Sequence, residues 1–254
     1  MPTVGEIYQV LQQLAPLDLQ MDFDNSGMLL GDEKSRVSKA LLALDITDAV
    51  AEEAVEEKAQ LIITHHPLIF HPLKNLKSGP ETEKILSLIR AGIAVLSFHT
   101  NLDIAEGGVN DVLLDLLGAE FRETLDSNGC GRIGEYSQPM SLRKFLLTCK
   151  GSLKTNGLRY VDAGKDVRRI AVMGGAGASA LRDAWEKGCD TYLTADIGYH
   201  DFLLAKELGI NLVDGDHFCT ENPVLFKLQA KLQEAFPETE IMISRRHRQI
   251  IQFA

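Results

Sequence analysis

His65 and His66 stand side by side between the apolar run Leu61-Ile62-Ile63-Thr64 and Pro67. The run reads as a buried strand, so the pair lies where a strand of an α/β sheet gives way to a loop, the place where such sheets bind ligands. A buried imidazole needs a partner, because stranding its nitrogens away from water costs free energy. Two in a row, without basic surroundings, point to a metal ion. Other strand ends offer matching chemistry. Ile93 to Phe98 runs into His99-Thr100-Asn101-Leu102-Asp103, and Ile210 to Val213 runs into Asp214-Gly215-Asp216-His217-Phe218-Cys219-Thr220-Glu221. His217 and Glu221 share a face if a helix starts there, and Pro223 fits a first turn.

The candidate metal ligands are therefore His65, His66, Asp103, His217 and Glu221. Imidazoles and carboxylates without thiolates suit zinc, iron or manganese better than magnesium or calcium. Five ligands exceed what one catalytic ion needs. A bridging carboxylate flanked by histidines, with Asp103 as the bridge, points to two divalent ions roughly 3.5–4 Å apart. His99 and His200 are the candidate catalytic residues, as proton shuttles, although a lone strand-end histidine such as His99 also fits a hydrogen-bonded residue behind the ligands. His71 and His247 read as surface or loop residues, and Cys219 as a small buried residue. Gly174-Gly175-Ala176-Gly177-Ala178-Ser179 is either an anion cradle before a helix or a tight turn, with neither P-loop lysine nor dinucleotide spacing.

The elements that position these residues alternate regularly. Thr3 and Glu6 have capping-box spacing before a helix through Ile7, Val10, Leu11 and Leu14. Asp24-Asn25-Ser26-Gly27 is a turn signal before the strand Met28 to Leu30. Strands are expected at Ala40–Asp45, Leu61–Thr64 and Ile93–Phe98, with helices at Asp48–Lys58 and Glu81–Arg90 between them. The order returns with strands at Ile170–Met173, Thr191–Thr194 and Ile210–Val213, and helices at Ser179–Lys187 and Phe202–Leu208. Val37 pairs with Val167, Thr64 with Thr194 and Gly92 with Gly209. The expected fold class is thus α/β, with two interlinked, pseudo-repeated α/β domains and a metal site in the cleft between them. Residues 1–125 form the first domain and 126–254 the second. Glu123 to Lys150 reads as a connecting region with a helix near Leu142 to Leu147. Ile241–Ser244 and Ile250–Ile251 are late strands that pack back on the first domain.

The composition sets limits. The chain has 254 residues, 45% hydrophobic and 24% charged, with a formal net charge of −10. That charge disfavours nucleic-acid binding, leaving only Arg245-Arg246-His247-Arg248 to line a basic pore. No apolar stretch approaches the roughly 20 residues that span a bilayer. The N-terminus lacks signal-peptide character, and Cys130, Cys149, Cys189 and Cys219 fit reduced thiols. A soluble, cytoplasmic protein without membrane contact is expected.

Thr64-His65-His66-Pro67, His99-Thr100-Asn101-Leu102-Asp103 and His217 with Glu221, together with Asp24-Asn25-Ser26-Gly27 followed by Gly31 and Gly107-Gly108-Val109-Asn110-Asp111, resemble the GTP cyclohydrolase 1 type 2 homologs, the Ngg-interacting-factor-like proteins. The resemblance covers essentially the whole chain. It implies two interlinked α/β domains, a dinuclear metal site held by the same five residues, and a toroidal homohexamer. Two departures stand out. Asp216 replaces the glycine usual before the late histidine, and Ala195-Asp196 replaces a Gly-Glu pair.

Two functions compete. One is a metal-dependent hydrolase acting on a nucleotide-like substrate, with GTP cyclohydrolase chemistry as its specific version and the glycine loop or Arg245, Arg246 and Arg248 taking phosphates. The alternative is a non-catalytic metal-binding ring acting as scaffold, adaptor or regulator.

Overall fold

The computed structural model describes residues 1–80 and 82–254. Two compact units emerge: 1–106 with 225–248, and 107–224 with 249–254. In chain order the first contains α1 (Val4–Leu14), β1 (Gly27–Leu30), β2 (Lys39–Ala43), α2 (Asp48–Glu56), β3 (Leu61–Thr64), α3 (Glu83–Ala91), β4 (Ala94–Ser97) and α4 (Thr100–Ile104). The second follows with α5 (Val109–Leu117), β5 (Glu120–Thr124), β6 (Arg132–Met140), α6 (Leu142–Leu153), β7 (Arg159–Val161) and β8 (Val167–Val172). It continues through α7 (Leu181–Glu186), β9 (Thr191–Thr194), α8 (Tyr199–Leu208), β10 (Asn211–Asp214) and α9 (His217–Glu221). Helix α10 (Val224–Ala235) leads back to the first unit, where β11 (Glu240–Ile243) completes the sheet.

The first sheet has the order β1-β4-β3-β2-β11, with β1 antiparallel to β4 and the other pairs parallel. All four residues of β3 are buried, as expected of a central parallel strand covered on both faces. Leu41, Ile62 and Val95 pack under Val50, Ala54 and Leu88 of α2 and α3. Thr3 and Glu6 close the capping box on α1 as the sequence requires. Glu81, where the sequence starts the next helix, lies outside the described residues.

The second sheet has the order β5-β6-β8-β9-β10-β7. Its parallel trio β8-β9-β10 ends in antiparallel β7, just as β2-β3-β4 ends in antiparallel β1. The two differ at the opposite edge, where the first sheet adds parallel β11 and the second adds antiparallel β6 and β5. Phe145 and Cys149 of α6 pack with Leu113 and Leu117 of α5 on Ile170, Leu193 and Val213.

Several expectations are corrected. The unit boundary falls at 106/107, not 125/126, because α5 shares the second core and β5 pairs with β6. The region from Glu123 to Lys150 is no connector: it holds the nine-residue β6 beside β8 and the start of α6, which runs on to Leu153. Exposed polar residues on the outer half of β6 had hidden its strand pattern. Ile250–Ile251 forms no strand; Asn156 Nδ2 donates to the Ile251 carbonyl and Phe253 covers Gly157. Pro223 lies beyond the end of α9, directly before α10. Among the described residues, no helix is long and apolar enough to cross a membrane.

Candidate metal centre

In the first unit, the Thr64 hydroxyl at the end of β3 donates to the His66 carbonyl (2.8 Å) and bonds the Ser97 hydroxyl (2.8 Å), while the His66 amide donates to the Leu44 carbonyl. The turn so formed fixes both histidines. His65 is 0% exposed, and its Nδ1 lies 2.8 Å from the Phe98 carbonyl. A carbonyl only accepts, so Nδ1 carries the proton and Nε2 keeps the lone pair that a metal could take. That Nε2 faces Asp103 Oδ1 at 3.6 Å. His66 Nδ1 lies 2.8 Å from Asp45 Oδ1, which likewise accepts.

The His99-Thr100-Asn101-Leu102-Asp103 motif is helix α4 with its N-cap, and nearly every residue has a separate task. His99 Nδ1 donates to Asp24 Oδ1 (2.8 Å), while Thr100 donates to Asp24 Oδ2 through its amide (3.0 Å) and hydroxyl (2.5 Å). Asn101 Nδ2 donates to the Ala15 carbonyl, and its Oδ1 accepts from Ser26. Leu102 is buried, and Asp103 points its carboxylate at His65. The Asp24 side chain is 0% exposed. Burial alone would raise its carboxyl, but hydrogen bonds from His99 and Thr100 outweigh it and hold the group well below the usual carboxylate range. Ligand atoms of His65, His66 and His99 all lie within 4.8 Å of one another. His99, expected behind the ligands or as a shuttle, thus joins the imidazole cluster itself.

The second unit offers a pair on a short helix. The N-cap Asp216 has φ 74° and accepts from the Cys219 amide, starting α9 at His217. His217 Nδ1 donates to Asp196 Oδ2 (2.7 Å), and its Nε2 lies 3.1 Å from Glu221 Oε2. Desolvation lowers the His217 imidazole, but Glu221 and Asp196 on either side raise it further, to about 9. The glycine loop explains itself here. A Cβ on Gly175 (φ 63°) would come within 2.0 Å of Glu221 Oε1, and one on Gly174 within 3.2 Å of Glu221 Cγ. Its amides are committed too: Gly174 donates to Asn110 Oδ1, Gly175 to the Thr220 hydroxyl and Gly177 to the Thr194 hydroxyl. The loop is a wall for Glu221, and its three glycine amides are already engaged.

In both units an imidazole whose Nδ1 is already anchored directs Nε2 at a carboxylate. Two lone-pair-bearing atoms at such a distance are reconciled by a proton or a cation between them. The His-Nδ1 anchors are those that orient metal-binding imidazoles generally. These buried histidine and acidic groups can hold a metal ion.

Other expectations fare differently. His200 is exposed in the first turn of α8, its ring against Tyr199. His71 is exposed beside Phe70. Burial pushes the Cys219 thiol up to about 12, helped by Asp216, so it offers no thiolate. Arg246 is spent on Glu52 and Glu56 rather than on a phosphate. His247 lies in a loop, one of the two expected settings, but its side chain is only 8% exposed, because the chain after β11 folds back and sets the ring against Asp45. Sequence reasoning missed the anchors Asp24, Asp45 and Asp196. Their one signal is that each lies next to a turn or strand end.

Fold and site together define an α/β protein of two sheet-based units whose strand ends carry imidazole–carboxylate groups suited to a metal. The chain belongs to the Duf34/NIF3 (NGG1p interacting factor 3) family, whose model matches residues 2–249. A Clostridium perfringens relative named GTP cyclohydrolase 1 type 2 homolog is 35% identical over 98% of this chain and 99% of its own. A Staphylococcus aureus hypothetical protein of known structure superposes with TM-score 0.93 and 27% identity, covering 100% of both chains. A Bacillus cereus protein related to NIF3 gives TM-score 0.91 and 26% identity, over 100% of this chain and 99% of that one.

Proposed function

We propose that this protein binds two divalent metal ions through His65, His66 and Asp103 of the first unit and His217 and Glu221 of the second, and that it is a metal-dependent hydrolase of a nucleotide-like substrate. The observation that carries the reading is the anchoring of each imidazole through Nδ1, which leaves Nε2 as the atom aimed at Asp103 or Glu221. The mixed nitrogen and oxygen set favours zinc, iron or manganese. Such ions, when bound, supply Lewis acidity to an electrophilic carbon or phosphorus. The chain's own contribution is orientation: Asp45, Asp196 and the Phe98 carbonyl hold the ligands in one tautomer. Asp24 does the same for His99, the better placed of the two shuttle candidates, whose ring lies 5.2 Å from that of His65. The name of the Clostridium perfringens relative supports GTP as the first substrate to try.

The test combines metal analysis with a hydrolysis screen over nucleotides, GTP included, on wild type and His65→Ala. About two ions per chain and a metal-dependent turnover lost in the variant are the expected results. Fewer than one ion per wild-type chain rules out the dinuclear centre. A loaded protein that hydrolyses nothing in the screen is instead the non-catalytic metal-binding ring.

A further inference from the structure

The Arg245-Arg246-His247-Arg248 segment has a function that its charge does not announce. Glu53, a buried carboxylate on α2, accepts from the Ser244 hydroxyl and from the amides of Arg245 (2.9 Å) and Arg246 (3.3 Å). The Ser244 hydroxyl also accepts from the His247 amide (3.1 Å), and Arg246 pairs with Glu52 and Glu56. The turn so pinned delivers the His247 ring to Leu44 and Asp45, just beyond the end of β2. There the Leu44 amide donates to His247 Nδ1 (3.1 Å). That nitrogen must carry the lone pair, so the proton is on Nε2, which lies 3.3 Å from Asp45 Oδ2. The other oxygen of the same carboxylate, Oδ1, accepts from His66 Nδ1 (2.8 Å).

Asp45 is therefore held from both sides. It is half-exposed and projects from a loop, so on its own it would sample several rotamers. His247 fixes its position, and Asp45 in turn fixes the tautomer and ring plane of His66. A carboxylate that orients a metal-binding histidine typically accounts for a 10–100-fold change in metal affinity.

We infer that Asp45 and His247 are positioning residues for the metal held by His66, so that the turn following β11 sets metal affinity at a strand end on the other side of β2. The inference rests on the metal-binding reading above. It adds residues from the far end of the unit that belong to none of the proposed ligands.

Cobalt(II) binding to the full chain tests it, followed by visible absorption and by competition with a chelator. For Asp45→Asn the expectation is that one of two cobalt ions weakens by about 10–100-fold with an altered absorption band, while the other is unchanged. His247→Ala should weaken the same ion by about tenfold, and His247→Gln, whose amide can accept from Leu44 and donate to Asp45, should recover most of the loss. Long-range proton–nitrogen NMR of the metal-free protein reads the clamp directly. His66 should appear protonated on Nδ1 and His247 on Nε2, and Asp45→Asn should change both. Folded Asp45→Asn and His247→Ala proteins that bind both ions as wild type overturn the inference while leaving the metal centre standing. A wild-type chain that binds no cobalt overturns both. The opposite tautomer on either histidine overturns the clamp alone.

Discussion

The same frame carries two differently built clusters of imidazoles and carboxylates. In each unit the third parallel strand runs into a five-residue helix, α4 after β4 and α9 after β10. Its N-cap is His99 in one and Asp216 in the other, and it carries a ligand-type carboxylate near its end, Asp103 or Glu221. The middle strand of each trio ends in a threonine: the Thr64 hydroxyl ties down the turn that follows it, and the Thr194 hydroxyl ties down the glycine loop after β8. Beyond that the two part. The first unit follows Thr64 with two imidazoles and anchors its histidines on the Phe98 carbonyl, Asp24 and Asp45. The second follows Thr194 with Ala195-Asp196, and there Asp196 is itself the anchor, 53% exposed and at φ 53°. The first cluster is fixed by hydrogen bonds to acceptors on the strands' own loops. The second is fixed by backbone conformations that ordinary residues avoid and by a glycine wall. A shared strand order preserves where such side chains stand more readily than how they are held.

The sharpest way to break the cluster of the second unit alone is Gly175→Ala. The new methyl meets Glu221 Oε1 at 2.0 Å on a backbone at φ 63°. Displacing Glu221 should cut metal affinity by roughly 100-fold or more, with about 1–3 kcal/mol of stability lost to strain. Chelator competition and thermal unfolding measure the two. A variant that loads metal as wild type would remove the wall from the comparison.

In the first unit the matching test is Asp24→Ala, which takes the acceptor from His99 Nδ1, the Thr100 amide and hydroxyl, and the Ser26 hydroxyl. A loss of about 2–4 kcal/mol is expected at neutral pH. The folded carboxyl lies below its unfolded value of about 3.9, so its contribution is present above that value and fades as the pH falls below it. Denaturant unfolding of wild type and variant should therefore diverge at pH 7 and converge toward pH 2. Equal stabilities at pH 7 would show that the anchors of the first unit matter no more than those of the second.

His217 gives the second unit the opposite pH signature. Its folded value is raised to about 9 against an unfolded 6.5. The metal-free protein therefore holds this contribution in full below pH 6.5 and loses it as the pH rises through about 9. His217→Gln should flatten stability across that window. Bound metal should do so too, since it replaces the proton shared with Glu221. A metal-free wild type with no decline over that range contradicts the proton-bridged pair.

The sequence made the clustered imidazoles and carboxylates legible because chemistry-bearing side chains fall directly after uninterrupted apolar runs. Leu61–Thr64 and Thr191–Thr194 are strands with the expected bounds, since four buried residues leave little room for another period. The anchors were not legible. Asp24, Asp45 and Asp196 sit in turns where aspartate is common for purely local reasons, and only the tertiary fold brings them to an imidazole. His247 lies in a loop as expected, but its burial was not legible because it depends on Glu53, some 190 positions earlier in the chain. The long strand β6 was missed because its outer residues face solvent, which breaks the alternation that marks a strand. The glycine loop was recognisable as special but not for the right reason: it spares space for a side chain rather than amides for an anion.

The smallest expected effect isolates the conformational side of the comparison. Asp216 has a φ of 74°, a conformation for which glycine is better suited. The aspartate stays because its carboxylate caps α9 at the Cys219 amide (3.0 Å). Removing the side chain relieves about 1–2 kcal/mol of left-handed strain. Glycine at an N-cap costs only a few tenths of a kcal/mol relative to aspartate. Asp216→Gly should therefore stabilise the metal-free protein by about 1 kcal/mol, and Asp216→Ala, which loses the cap and keeps the strain, should destabilise it by about as much. Opposite shifts in unfolding midpoint for two substitutions that both delete the carboxylate can arise only from the backbone. If both variants lose stability equally, the cap alone sets the start of α9, and the cluster of the second unit is held by hydrogen bonds after all.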